Sequence, residues 1–416
     1  MSWRRRWPLC RDSNPHVRCW KAGRNRAGGQ RVNSSLQLLI TLAGVTLLFA
    51  CAQSNGTMEG AARQVLRLCR GHASLLPPIF FLLAALLAMV GPGAILSCAL
   101  LAPLAMSSGA RAGVPAFLIA IMVGHGANAG NLSPFSMVGV IAGGLMTRAG
   151  LGGHELRVWL FHSAANVAVA VAAYFLFGGR KLFLAGRAGE SPAPPRLEPR
   201  HVATLAVTFT WMAAVVVFRW PLGWTALGAA AILIVLRQAS LPDVVRRMPW
   251  KIIALVVGIS TAIGLLDKAG GLAWFQDLLA RFATAESVHA VMALLVGLIS
   301  AYSSTSGVVL PAFLPLAPGI AGRFSGVDAL ALSITINIGA SLVDVSPLST
   351  LGALCIAAAP KGTDTRALFR QLLIWGLVMA PVGAVLCYFG APLFAAGYSE
   401  TPPVLPLGIR GLWIEE

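Results

Sequence analysis

From residue 36 to about residue 396 the chain alternates continuous apolar blocks with short polar stretches. The blocks at 36–52, 75–90, 94–106, 114–147, 156–178, 201–218, 221–236, 251–266, 288–303, 308–320, 327–360 and 369–391 show no period-two alternation. Several approach the ~20 residues that a helix needs to cross a bilayer. The pattern predicts an all-α polytopic membrane protein. Two stretches differ, MEGAARQVLRLCR (58–70) and GLAWFQDLLARFA (271–283), where apolar residues at helical spacing predict amphipathic helices.

Composition supports this class. The 416 residues are 57% hydrophobic and 11% charged, against roughly 25% charged in soluble domains. In such a chain a net charge of +17 reads as basic loops that fix orientation, not as a nucleic-acid footprint. The seven cysteines have no CxxC and no metal-ligand spacing, so neither a disulfide framework nor a metal cluster is implied. Residues 1–34 hold nine of the 32 Lys and Arg and no apolar run. That region is too long for the basic part of a signal peptide, and 36–52 is needed as a span.

The apolar pattern also repeats. At an offset of 213 residues, GANAGNLSPFSMVG (126–139) lies over GASLVDVSPLSTLG (339–352), with Gly126, Ala127, Ser133, Pro134, Ser136 and Gly139 all matched. The same offset keeps 36–52 over 251–266, 75–90 over 288–303, 94–106 over 308–320 and 156–178 over 369–391. A register held over this length predicts an internal duplication. The units run 35–178 and 201–396, joined by a linker at 179–200 and followed by a tail at 397–416. The second unit opens with two further spans, 201–218 and 221–236, that the first lacks. Residues 1–34 are therefore expected to be non-native or disordered sequence in place of two lost helices.

Five crossings and one re-entrant hairpin per unit would invert the second copy. One face then collects sixteen Lys and Arg outside the N-terminus and the other seven, which makes the first face, with the linker 179–200, cytoplasmic. The hairpins would turn at GPG (91–93) and SSTS (303–306), and the spans 114–147 and 327–360 would break at 127–136 and 340–349. Polar backbone at membrane depth is tolerated only where protein or a watery cavity satisfies it. Pro134 and Pro347 interrupt the helix ladder, and Gly126, Gly130 and Gly339 are expected to let the backbone unwind. Freed carbonyls suit a cation, and N–H groups at half-helix N-termini suit a carboxylate.

The candidate substrate ligands are Asn128, Asn131, Ser133, Ser136, Ser304, Thr305, Ser346 and Ser349. The candidate cation ligands are Gly91, Gly93, Ser303, Thr305, Ser306, Ser341 and Asp344. Asp344 alone among the fifteen acids falls in a predicted span, where a charge is costly and marks function. The tip SSTS offers hydroxyls whereas GPG offers backbone and the nearby Ser97, which predicts one strong and one weak cation site. Asn166 and Asn337 are secondary candidates, and His125 is read as packing.

These residues carry a resemblance. The runs LITLAGVTLLFACAQSNGTMEGAARQVLRLCRG (39–71), MVGPGAILSCALLAPLAM (89–106) and IMVGHGANAGNLSPFSMVGVI (121–141) resemble the N-terminal domain of the bacterial malonate/dicarboxylate carriers. These sit in the broad ion-transporter group that includes the divalent-anion:sodium symporters. The match is close over 33–150, and the architecture extends it to roughly 395. The resemblance implies an elevator-type carrier, a homodimer in a bacterial inner membrane, whose tips and breaks bind sodium and a dicarboxylate. In the sodium symporters the tips read Ser-Asn-Thr; Ser303-Ser304-Thr305 is similar and Val90-Gly91-Pro92 is not.

The expected function is cation-coupled symport of a small dicarboxylate with Na+ or H+ as coupling ion and no other cofactor. A cation/proton or inorganic-anion exchanger on the same architecture, and an inactive truncated carrier, are the alternatives. An integral-membrane enzyme has no support from an HExxH, a GxSxG or an intramembrane acid–histidine cluster.

Overall fold

In a computed structural model of the chain, the described residues are 43–58, 72–91, 93–179, 198–218, 220–248 and 269–395, with a few isolated positions between them. The N-terminal 1–34, most of the amphipathic stretch 58–70, Pro92, most of the linker 179–200, nearly all of the span 251–266 and the tail 397–416 lie outside them. Every element among the described residues is helical.

The first half contributes α1 (Ala43–Ser54), α2 (Leu76–Val90), α3 (Gly93–Arg111), α4 (Ala116–Asn131), α5 (Met137–Arg148) and α6 (Glu155–Leu176). The second begins with α7 (Pro199–Phe218), α8 (Leu222–Val235), α9 (Leu241–Arg247) and the amphipathic α10 (Gly271–Phe282). It continues with α11 (Val288–Ser300), a run α12 (Thr305–Ala321) that opens on a π turn at Thr305–Val309, α13 (Ala329–Val343), α14 (Thr350–Ala357) and α15 (Thr365–Ala395). Among the described residues four helices are long and apolar enough to cross a membrane, or five if the pair α11–α12, bent by 119°, is one span. Exposed apolar residues such as Leu160, Phe175, Val217 and Phe389 give the outer helices an oily surface, as lipid requires. The chain is an all-α, multi-pass membrane protein.

Helices α2 and α3 form a hairpin that turns at Gly91 and Gly93, and both arms pack on α4. In the second half α11 packs on α13 in the same way. Across the halves α14 lies against α3, and α5 against α12. Among the described residues the buried apolar side chains fall into two clusters. The larger joins α2–α6 to α11–α15; the smaller joins α1 to α7, α8 and α9 through Leu48, Phe49, Trp211, Ala230 and Val244.

Both broken spans are present, but the breaks are shorter than expected. Helix α4 persists to Asn131 and α13 to Val343, so the irregular backbone is confined to 132–136 and 344–349. Each helix stops just ahead of a Ser-Pro pair, since proline disfavours helical backbone in the residue before it and lacks an N–H. The three glycines expected to unwind the chain do not: Gly126, Gly130 and Gly339 sit within regular helix. Their role is close approach. A Cβ at Gly126 would overlap the Phe81 main chain, at Gly130 that of Ala85 and Met89, and at Gly339 that of Ala293. Small residues of this kind let helices touch backbone to backbone in lipid, where no hydrophobic force drives them together.

Gly130→Val should therefore separate α2 from α4, as overpacking a close contact costs about 1–3 kcal/mol. Gly228→Ala in α8, where a Cβ meets nothing within 4 Å, should cost nothing. Thermal unfolding of the two variants in detergent micelles checks this, and equal midpoints would refute the close-packing account.

Candidate functional site

A helix that ends at membrane depth leaves its last four carbonyls without intrahelical donors. At the end of α4 each has a substitute. His162 Nε2 donates to the Asn128 carbonyl (2.8 Å), and Trp159 Nε1 and Ser163 Oγ donate to that of Ala129. The Gly130 carbonyl accepts from the Ser133 N–H (3.1 Å), and that of Asn131 from the Ser136 hydroxyl. Three of these donors come from one turn of α6. At the end of α13, Thr305 Oγ serves the Ala340 carbonyl (3.3 Å), Asn128 Nδ2 that of Ser341 (2.9 Å), and the Ser346 N–H that of Val343 (2.9 Å).

The resuming helices are held as carefully. Ser136 caps α5 by accepting from the Gly139 N–H at 2.8 Å. The Met137 N–H donates to the Gly91 carbonyl (3.2 Å), which ties the first break to the first hairpin tip. Gly139 and Gly352, 213 residues apart, share a requirement: a Cβ on either would strike the carbonyl of the serine six residues before it. Gly93 has φ +78° and its absent side chain leaves room for Asn131 Oδ1 and Val138.

Asn131 is the hub. Its Oδ1 accepts from the Ala94 N–H at the start of α3 (2.8 Å), and its Nδ2 donates to Ser306 Oγ beside the second tip (3.2 Å). One buried amide thus links both hairpins. The corresponding residue of the second break, Asp344, accepts from the Ser349 hydroxyl, and Thr305 of the second tip lies close by. Thr305 Oγ also lies 2.6 Å from Ser300 Oγ. Asp344 is 4% exposed and is the one acid among the buried described residues, which include no Lys or Arg.

The structure therefore brings Gly91, Gly93, Asn131, Ser136, Thr305, Ser306, Asp344 and Ser349 into one connected region. Ser133 and Ser346 lie in the breaks, each with a hydroxyl that meets a nearby main-chain N–H at 3.3 and 3.4 Å. Ser304 caps the π turn through the Gly307 N–H, and Ser303 donates back to Ile299. Two predicted ligands sit one turn back from the breaks. Because α4 and α13 do not unwind at 127 and 340, Asn128 and Ser341 stay on helix, in a buried network with His125, His162, Asn166 and Trp375. His125 is a packing residue there: Trp375 Nε1 donates to its Nε2 (3.1 Å), so its Nδ1 donates to Asn166 Oδ1 (3.0 Å).

The sequence did not single out Trp159, His162 and Ser163. Their only signal was polarity on an apolar helix, one turn long and facing the last turn of α4. A cleft of about 390 Å3 lined by Phe117, Phe177, Asp364 and Gln371 opens at the far end of α4, away from both tips.

Residues 34–131 match the family model described as the dicarboxylate carrier protein MatC N-terminus, a stretch that holds α1 to α4 and the first tip. The match bears out the resemblance to the malonate/dicarboxylate carriers. No curated protein matches the chain.

Asn131→Ala strands the Ala94 N–H and the Ser306 hydroxyl, and an orphaned buried donor costs about 1–3 kcal/mol. Ser133→Ala removes only a long contact and should cost less than about 1 kcal/mol. Thermal unfolding in micelles should rank the pair in that order; the reverse ranking would refute the hub.

Proposed function

From the premise that residues 34–131 carry the N-terminal domain of a dicarboxylate carrier, we propose that the chain is a secondary active carrier. It moves a small dicarboxylate, of malonate or C4 size, by cation-coupled alternating access. The observation that carries this reading is Asp344, the one acid among the buried described residues, held at the second break beside a hairpin tip.

Among the described residues a dianion entering this region meets no buried Lys or Arg. Its charge must be offset by neutral donors and by cations that travel with it, because an unpaired charge at membrane depth is expensive. The donors are the N-termini of α3, α5 and α14 and the hydroxyls of Ser133, Ser136, Ser304, Ser346 and Ser349. Asp344 with Ser303, Thr305 and Ser306 forms the stronger cation site, sodium or proton, and Gly91 and Gly93 with Asn131 the weaker. The mismatch between Asp344 and Asn131 at equivalent positions makes coupling asymmetric.

Inverted repeats are supported by the 213-residue spacing of like environments, Gly126 with Gly339 and Gly139 with Gly352. An elevator motion is supported by the two apolar clusters, one around the tips and breaks and one around α1, α7 and α8 that would serve as scaffold and dimer side. Loop charge supports a cytoplasmic linker and a bacterial inner-membrane location. A cation/proton or inorganic-anion exchanger is the second reading, and Asp344 favours it as well; the carrier-type N-terminal match favours the organic anion.

The test is uptake of labelled malonate by the purified full chain in proteoliposomes under sodium, potassium and proton gradients. Uptake should follow one of the cation gradients, and Asp344→Asn should abolish that dependence. Silence across malonate, succinate and citrate under every gradient would overturn the proposal.

A further inference from the structure

Two thiols occupy the seam between the first hairpin and the second broken span. Cys98 lies on α3, one turn beyond the tip that Asn131 caps, and Cys355 lies on α14. Their sulfurs are 3.8 Å apart, and both residues are fully buried. Each thiol also faces a carbonyl across the seam, Cys98 that of Leu351 (3.8 Å) and Cys355 that of Ala120 (3.9 Å). The remaining free cysteines described, Cys51 and Cys387, are in other surroundings: Cys51 sits in the α1 cluster and Cys387 meets the Thr335 carbonyl.

We propose that Cys98 and Cys355 form a redox-active dithiol whose oxidation staples the first hairpin to α14. The separation, 3.8 Å, is at van der Waals contact for two sulfurs, so a bond of about 2.05 Å requires them to close by about 2 Å. The reaction breaks two S–H bonds and makes one S–S bond. Two electrons and two protons leave together and are taken up by an azo or quinone-type acceptor, which becomes its hydrazine or hydroquinone.

The staple would act on motion. The arm α3 carries the tip at Gly93–Ala94, and α14 belongs to the other half of the chain, so the bond would hold one hairpin against the opposite broken span. If the tips open to load and release substrate, which rests on the carrier reading above, the oxidised protein is arrested.

The experiment oxidises the purified full chain in proteoliposomes with the permeant azo compound diamide. Remaining thiols are then alkylated and the digest is read by mass spectrometry. The expected result is a Cys98–Cys355 cross-linked peptide in the wild type, absent from Cys98→Ser and from Cys355→Ser. Malonate uptake should fall to the level of empty liposomes, return on reduction, and persist in both serine variants under diamide. Full alkylation of Cys98 and Cys355 after diamide, or a cross-link to Cys51 or Cys387, overturns the dithiol. A complete Cys98–Cys355 cross-link with undiminished uptake overturns the arrest. Absence of uptake before any oxidation counts against the carrier reading alone, because the cross-link is read without transport.

Discussion

A membrane-depth backbone cannot leave its polar groups to lipid, and this one constraint explains most of the arrangement around the two breaks. When α4 stops at Asn131, four carbonyls need donors; Trp159, His162 and Ser163 of α6 serve two of them, and Ser133 and Ser136 serve the other two. The second half meets the same need with Asn128 and Thr305, which belong to the neighbouring half and to the neighbouring hairpin. The breaks are thus built jointly by elements far apart in sequence. A change that loosens one hairpin is felt at the opposite break.

That interdependence gives the carrier reading its physical content. The carbonyls freed at the first break are already occupied by protein donors, so a cation there would have to displace hydroxyls that also cap α5. At the second break the Ser349 hydroxyl turns to Asp344 and does not cap α14. Ser136 and Ser349 are matched residues with opposite duties, and the difference follows from Asn131 against Asp344. A neutral amide both accepts and donates and so links two tips; a carboxylate only accepts and gathers donors around itself. A cation arriving at Asp344 competes with hydroxyl donors rather than with a satisfied amide.

Much of this was legible in the pattern of apolar and polar positions. The twelve apolar blocks mapped onto helices wherever they fall among the described residues, because continuous apolar runs leave little choice in lipid. The hairpin turns and the Ser-Pro stops were legible for the same reason: proline and glycine act locally. The extent of the breaks was not. Gly126, Gly130 and Gly339 read as points of weakness, since a glycine's freedom is visible in sequence and the helix lying against it is not. That Asn128 and Ser341 stay on helix and meet each other was hidden for the same reason, as their partners depend on which helices cross there. The donors on α6 were hidden because their partners are main-chain carbonyls, which carry no sequence signature.

The central claim is that the charge at Asp344 belongs to the coupling-ion site. Its most direct test is the reversal potential of malonate-driven current, recorded on membranes containing the full chain under a fixed cation gradient. The account predicts a reversal potential that follows the cation gradient in the wild type and shifts in Asp344→Asn by the equivalent of a lost coupled charge. An Asp344→Asn chain that transports with an unchanged reversal potential would contradict it.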